Sequence, residues 1–223
     1  MGEHNTMALL TQNKKMKVSG GDVYNIFDWA IPALKSREGL VICPAAGTCK
    51  KGCYASEGSY RWKPVQDAFE ARLQTVLDGT FESKMEREIR TKLKTAQRRK
   101  LQLVIRLHSS GDFFRQSYVD SWLNLVNLFP DVIFYAYTKS LGFFKGKDLP
   151  NNFITIFSEG GRFDKAINTD TERHARVFST IEDLEEAGYA NASNDDSVAF
   201  ASPNHKIGLV WHGQSKKKKW TTG

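Results

Sequence analysis

The sequence predicts an α/β fold with parallel strands in a single domain. Two observations carry this expectation. Apolar runs of strand length alternate with segments of helical period, and several of those runs end in a tight polar cluster. A third bounds the answer. A chain of 223 residues with 40% apolar and 26% charged side chains can bury a full core without disulfide staples. No run approaches the roughly 20 apolar residues of a membrane span. Residues 1–16 lack the apolar centre of a signal peptide. A secreted or membrane protein is therefore not expected, and a cytoplasmic one is.

In chain order, residues 1–40 read as an N-terminal extension with one or two short strands, where Pro32 interrupts an apolar patch over 27–34. A cysteine loop follows over 41–59. The α/β core is expected over 60–213 and a basic tail over 214–223. From Pro64, Phe69, Leu73, Val76 and Leu77 recur at helical spacing until Gly79 breaks the pattern. A second helix is predicted from Phe81 to Lys100, with Met85, Ile89 and Leu93 on one face. A third is expected over 118–128, with Val119, Trp122, Leu123 and Val126 as its buried stripe and Pro130 as its stop. A short acidic helix is expected over 181–187. Strands are expected at LVIRL (103–107), VIFYAY (132–137), FITIF (153–157), VAFA (198–201) and IGLVW (207–211).

The polar clusters stand directly after apolar strands. LVIRL leads into His108, Ser109, Ser110, Gly111 and Asp112. VIFYAY leads into Thr138, Lys139 and Ser140, and FITIF into Ser158, Glu159, Gly160 and Gly161. Active sites of parallel α/β folds lie at the carboxyl ends of the strands. These clusters and the cysteine loop are expected to meet at one mouth.

Cysteine usage is the sharpest signal. Cys43, Cys49 and Cys53 are the chain's three cysteines, all inside CPAAGTCKKGCYA. An odd count argues against a closed disulfide framework. Gly47 and Gly52 permit the turns that let three sulfurs converge. Lys50 and Lys51 favour thiolates. Three thiolates suit either a zinc ion, with His108, His205 or His212 as fourth ligand, or a [4Fe–4S] cluster with one open iron. Bare thiols point to a reducing compartment.

Charge is uneven. Net charge is +7, while residues 84–100 carry eight Lys or Arg against Glu86 and Glu88, and Lys216, Lys217, Lys218 and Lys219 form a basic run. A nucleotide or nucleic-acid partner is expected. Trp62, Phe113, Phe114, Tyr135 and Tyr137 are candidates for base stacking.

CPAAGTCKKGCYA, RLHSSGDFF, FYAYTKS and FSEGG, taken in this order, resemble a family of bacteriophage gene products with a CPxAGxC-x3-CYA motif. The Cys-Tyr-Ala ending and the Thr-Lys and Ser-Glu strand ends are also similar to outlying members of the radical S-adenosylmethionine (SAM) superfamily, including the spore photoproduct lyase type. That second resemblance implies a radical-SAM-like fold, a partial or complete (β/α) barrel. It implies a [4Fe–4S] cluster on Cys43, Cys49 and Cys53, SAM at the open iron and an electron donor. Tyr54 would pack beside the cluster. Asp112 and Ser110 would hold the ligand amine, with Ser109, Gly111, Thr138 and Ser158 lining the site. Lys139 or His108 would take a carboxylate or phosphate, and Glu159 a ribose or a proton. The substrate expected is a nucleotide or a nucleic-acid base in the host cytoplasm.

Two other readings stand beside it. One is a zinc- or cluster-stabilised protein that binds nucleic acid or a host protein without turnover. The other follows from HSSGDFF, which resembles the Asp-Ser-Gly-Gly-Phe strand end of tRNA-guanine transglycosylases and implies Asp112 as a nucleophile for base exchange.

Overall fold

The strands are near-continuous apolar runs, so each has two buried faces and must be covered on both. The structure, a computed structural model, describes residues 8–211. In chain order the regular elements are α1 (Lys14–Val18), β1 (Tyr24–Trp29), α2 (Lys63–Leu77), α3 (Phe81–Arg98), β2 (Gln102–Leu107), α4 (Gln116–Leu128), β3 (Ile133–Thr138) and β4 (Phe153–Ser158). They continue with β5 (His174–Phe178), α5 (Ile181–Glu186), β6 (Ala190–Asn191), α6 (Ser197–Ala201) and β7 (Lys206–Val210). The seven strands form one sheet in the order β1-β2-β3-β4-β5-β7-β6. Every pair is parallel, and the sheet curls into a half-barrel.

The outer face carries Trp29, Leu103, Ile105, Leu107 and Phe134. These pack against Leu73 and Val76 of α2, Met85 and Ile89 of α3, and Trp122 and Val126 of α4. The inner face carries Ile26, Val104, Tyr135, Ile156 and Ile207, closed over by Met16 of α1 and Phe200 of α6. Removing such large apolar side chains from water stabilises the fold by about 1.5–3 kcal/mol each.

Three expectations are corrected. Residues 24–29, assigned above to an N-terminal extension, form the first strand and pair along their whole length with β2. VAFA is helix, not strand. Asp195 precedes it and accepts the Ser197 amide at 2.8 Å, which starts a helical turn that four apolar residues alone do not reveal. Residues 174–178 and 190–191 add strands whose composition (HARVF, AN) is too mixed to read as strand. His212, Lys216, Lys217, Lys218 and Lys219 lie outside the described residues. Among the described residues no helix is long and apolar enough to cross a membrane.

Candidate functional site

Each strand of the half-barrel delivers its following loop to the carboxyl edge, and four of these loops are tied together there. The cysteine loop follows β1. It docks on the loop after β4: the amides of Gly47 and Cys49 both donate to the Gly160 carbonyl at 3.1 Å, and the Arg162 amide returns a bond to Ala45 at 2.9 Å. A side chain at Gly47 has no room, because its Cβ would stand 2.4 Å from the Gly161 carbonyl oxygen. Gly47→Ala is expected to lift the loop at a cost of about 2 kcal/mol. The check is a lower urea midpoint together with faster amide exchange over residues 43–53; unchanged exchange there would refute the docking argument.

The Tyr54 hydroxyl donates to the Ser109 carbonyl, fastening the far side of the cysteine loop to the loop after β2. Its ring packs edge-on against Tyr60. Gly111 turns that second loop with φ +85°, where a Cβ would strike Ile31 at 2.5 Å. Asp112 then bridges to β3. Its Oδ1 accepts the Thr138 hydroxyl at 2.6 Å and the Phe113 amide at 2.8 Å, and its Oδ2 accepts the Lys139 amide at 3.0 Å. Burial raises the Asp112 pKa above the ordinary carboxylate value, and these donors work against that rise. Lys139 Nζ donates to the Ser158 hydroxyl on β4 at 2.7 Å. Glu159 Oε2 accepts from Arg176 Nε on β5 at 2.8 Å.

The three thiols stand in this ring, each partly buried and none in a disulfide. The Leu34 amide donates to the Cys43 sulfur at 3.3 Å. Burial, then the nearby Asp112 charge, pushes the Cys43 thiol up to about 12; Leu34 opposes this, and the other two thiols add to it. Burial also raises Cys53, offset by the amides of Ala55 and Ser56 and by Lys139. Among the described residues no three His, Cys, Asp or Glu side chains are drawn close enough to hold one metal ion in common. A four-iron cluster spreads its ligand sulfurs wider than a single zinc ion does. One of the three sulfurs, that of Cys43, accepts a backbone amide, and N–H···S bonds of this kind stabilise thiolates.

The described histidines stand elsewhere. Alternation along β2 would put His108 on the inner face with Arg106. A left-handed backbone (φ +66°) instead turns its ring into the outer core, against Phe113 and Tyr118 at 4.4 and 5.6 Å between centroids. His205 bonds the Thr169 carbonyl, and its own carbonyl accepts the His174 amide at the start of β5, level with Phe157 of β4. Asp112 is 5% exposed, with three donors on its two oxygens, so its placement is that of a brace and not of an open nucleophile.

A family model described as Gene product 88 matches residues 7–222. The chain belongs to the Gene product 88 family. The Gene 88 protein of Mycobacterium phage L5 is 32% identical over 112 residues, covering 48% of this chain and 46% of that protein. The Gene 88 protein of Mycobacterium phage D29 is 30% identical over 112 residues, covering 48% and 45%. These alignments span less than half the length of each curated relative. No solved structure matches the chain.

Sequence reasoning missed one feature of this Gene product 88 protein, a buried ionic network on the inner face. Arg106 on β2 reaches Asp196 at 3.3 Å and lies over the Tyr137 ring, 5.2 Å from its centroid. Lys15 meets the other Asp196 oxygen at 2.7 Å. Burial pushes Asp196 up, but Arg106 and Lys15 outweigh it and hold the carboxyl below the ordinary range. Asp28 on β1 accepts the Ser109 amide at 3.2 Å, and burial raises its pKa against the pull of Arg106. The available signal was a lone charge inside an apolar strand: Arg106 in LVIRL and Asp28 in YNIFDW. Two of the proposed base-stacking aromatics, Phe113 and Tyr135, are fully buried core residues, whereas Trp62 is exposed.

The basic helix is not part of the mouth. α3 ends at Arg98 and feeds β2 through Leu101, whose amide bonds Ala96. Lys94, Arg98, Arg99 and Lys100 therefore sit at the amino end of β2, about 20 Å from its carboxyl end at strand rise. A shallow depression of 470 Å³ opens there among Thr91, Lys94, Thr95, Gln97 and Arg98.

Proposed function

We propose that Cys43, Cys49 and Cys53 hold a [4Fe–4S] cluster with one iron open, at the mouth of a half-barrel that works as a radical-SAM-like enzyme on a nucleotide or nucleic-acid base. The observation that carries the reading is the placement of all three thiols in the loop after the first strand, at the carboxyl edge, with both described candidate histidine ligands turned elsewhere. A cluster held by Cys43, Cys49 and Cys53 would supply one-electron reduction chemistry, and the reading needs an electron donor.

The chain's own residues have separable roles. Partial burial limits the access of water to the Cys43 and Cys53 sulfurs, and the Leu34 amide would support Cys43 as a thiolate with a metal in place of the proton. Lys139, steadied by Ser158, offers positive charge beside Cys53 and could take a ligand carboxylate. Ser110 Oγ and Glu159 Oε1 are buried polar atoms with no hydrogen-bond partner. They are the acceptors left for a ligand amine or ribose hydroxyl. Asp112 and Thr138 position Lys139 without touching the ligand, and Tyr54 braces the cysteine loop on Ser109.

Protein purified without oxygen is expected to be brown, absorbing near 400 nm with about four irons per chain. Cys53→Ala should lose the colour and the iron. Calorimetry on the iron-loaded protein should register SAM. A colourless protein holding one zinc would overturn the cluster, and an iron-loaded protein that ignores SAM would remove the radical chemistry.

A further inference from the structure

The rim of the mouth has a chemistry of its own. Trp62 is 66% exposed, Phe163 54% and Tyr54 49%. All three lie on the segments that bracket the thiols: residues 48–63, which contain Cys49 and Cys53, and residues 160–165, on which the cysteine loop docks. Large aromatics left in water cost free energy unless a partner covers them. Interleaved with them are Lys50, Lys51, Arg61, Arg162 and Lys165, all exposed and none in an ion pair among the described residues. The acidic groups on and beside the second segment are already engaged. Asp164 accepts the amides of Gly160 and Gly161 at 2.8 Å, and Glu159 is paired with Arg176. With Glu57 as the one carboxylate on the first segment, the five cations leave an excess of positive charge beside exposed rings, which is what a flexible polyanion with free π-faces requires.

We infer that this rim binds single-stranded nucleic acid, with unpaired bases stacking on Trp62 and Phe163 and phosphates lying along Lys50, Lys51 and Arg162. A duplex hides its base faces, so only its phosphates would find partners here. The inference moves nucleic-acid binding from α3, where the charge pattern alone put it, to the opposite edge of the sheet. It concerns binding and stands independently of what the thiols hold. It adds to the reading above the form in which a base reaches them.

Fluorescence anisotropy of the full-length protein with a labelled 15-nucleotide oligothymidylate tests it, alongside a duplex of the same length. Single-strand binding is expected to exceed duplex binding. Trp62→Ala and Phe163→Ala should each weaken it about fivefold or more. Lys50→Ala with Lys51→Ala should flatten the dependence of log affinity on log salt by about 1.4. Lys94→Glu with Arg98→Glu on α3 should change single-strand affinity less than any rim variant. All these side chains are exposed, so the variants should fold, which circular dichroism checks. The proposal is overturned if wild-type protein does not bind the oligonucleotide, if the duplex binds as well, or if the α3 pair abolishes binding while the rim variants keep it. Iron content measured on the same samples separates the two readings: binding without iron sinks the cluster alone, and iron without binding sinks the rim alone.

Discussion

Asp112→Ala is expected to destabilise the protein by about 3–5 kcal/mol, the range for removing one partner from a buried, charged hydrogen-bonded group. The loss has three parts. The Thr138 hydroxyl and the amides of Lys139 and Phe113 all donate to this carboxylate, and Thr138 and Phe113 are buried. Asp112→Asn should cost less, about 1–3 kcal/mol. An asparagine must turn its NH2 toward either the Phe113 or the Lys139 amide, and so loses at least one bond. Urea unfolding of the three proteins measures the series. The two loops joined by Asp112 also carry Lys139 toward Cys53, so iron retention after brief exposure to a chelator should fall in the order wild type, Asn, Ala. An alanine variant as stable as wild type to within about 1 kcal/mol would show that the brace carries no load.

Acid should act through His108. The ring is 3% exposed, its Nε2 is bonded to the Tyr118 hydroxyl at 2.8 Å, and its buried Nδ1 has no partner. A protonated ring would be a buried cation cut off from water. Burial therefore lowers the pKa from 6.5 to about 3. The unfolded chain takes up this proton near pH 6.5 and the native state does not. Stability is thus full above that value and drains away as pH falls toward about 3. At pH 4.5 the loss from this group is about 2–3 kcal/mol, at 1.36 kcal/mol per pKa unit. His108→Gln cannot charge. It should be less stable than wild type at pH 7, and the gap should close or reverse by pH 4.5. Parallel slopes for the two proteins between pH 7 and 4.5 would mean that His108 titrates normally. The same burial removes this histidine from the set of groups able to meet a ligand at the mouth.

Helix and strand periodicity determined most of the element list. Phe69, Leu73 and Val76 marked α2, Met85 and Ile89 marked α3, and LVIRL, VIFYAY and FITIF marked three neighbouring strands, because the core-facing stripe of each is continuous and local. The run VAFA failed because four apolar residues carry no period, so the Asp195 turn ahead of it decided. HARVF escaped because its polar members are paired through space: His174 Nε2 with Tyr189, and Arg176 with Glu159.

Three cysteines in eleven residues were legible as one site, since sulfur spacing along a loop bounds their reach. The polar strand ends were legible because parallel strands all emit their loops at one edge. What a strand-end residue faces was not. The sign of one backbone angle sent His108 to the outer core, and the Arg106–Asp196 ion pair joins segments 90 residues apart. A local pattern records what each residue needs, burial or water. Only the closed sheet decides which distant groups answer that need, because a buried charge or ring nitrogen is satisfied by whatever the fold brings within hydrogen-bond reach.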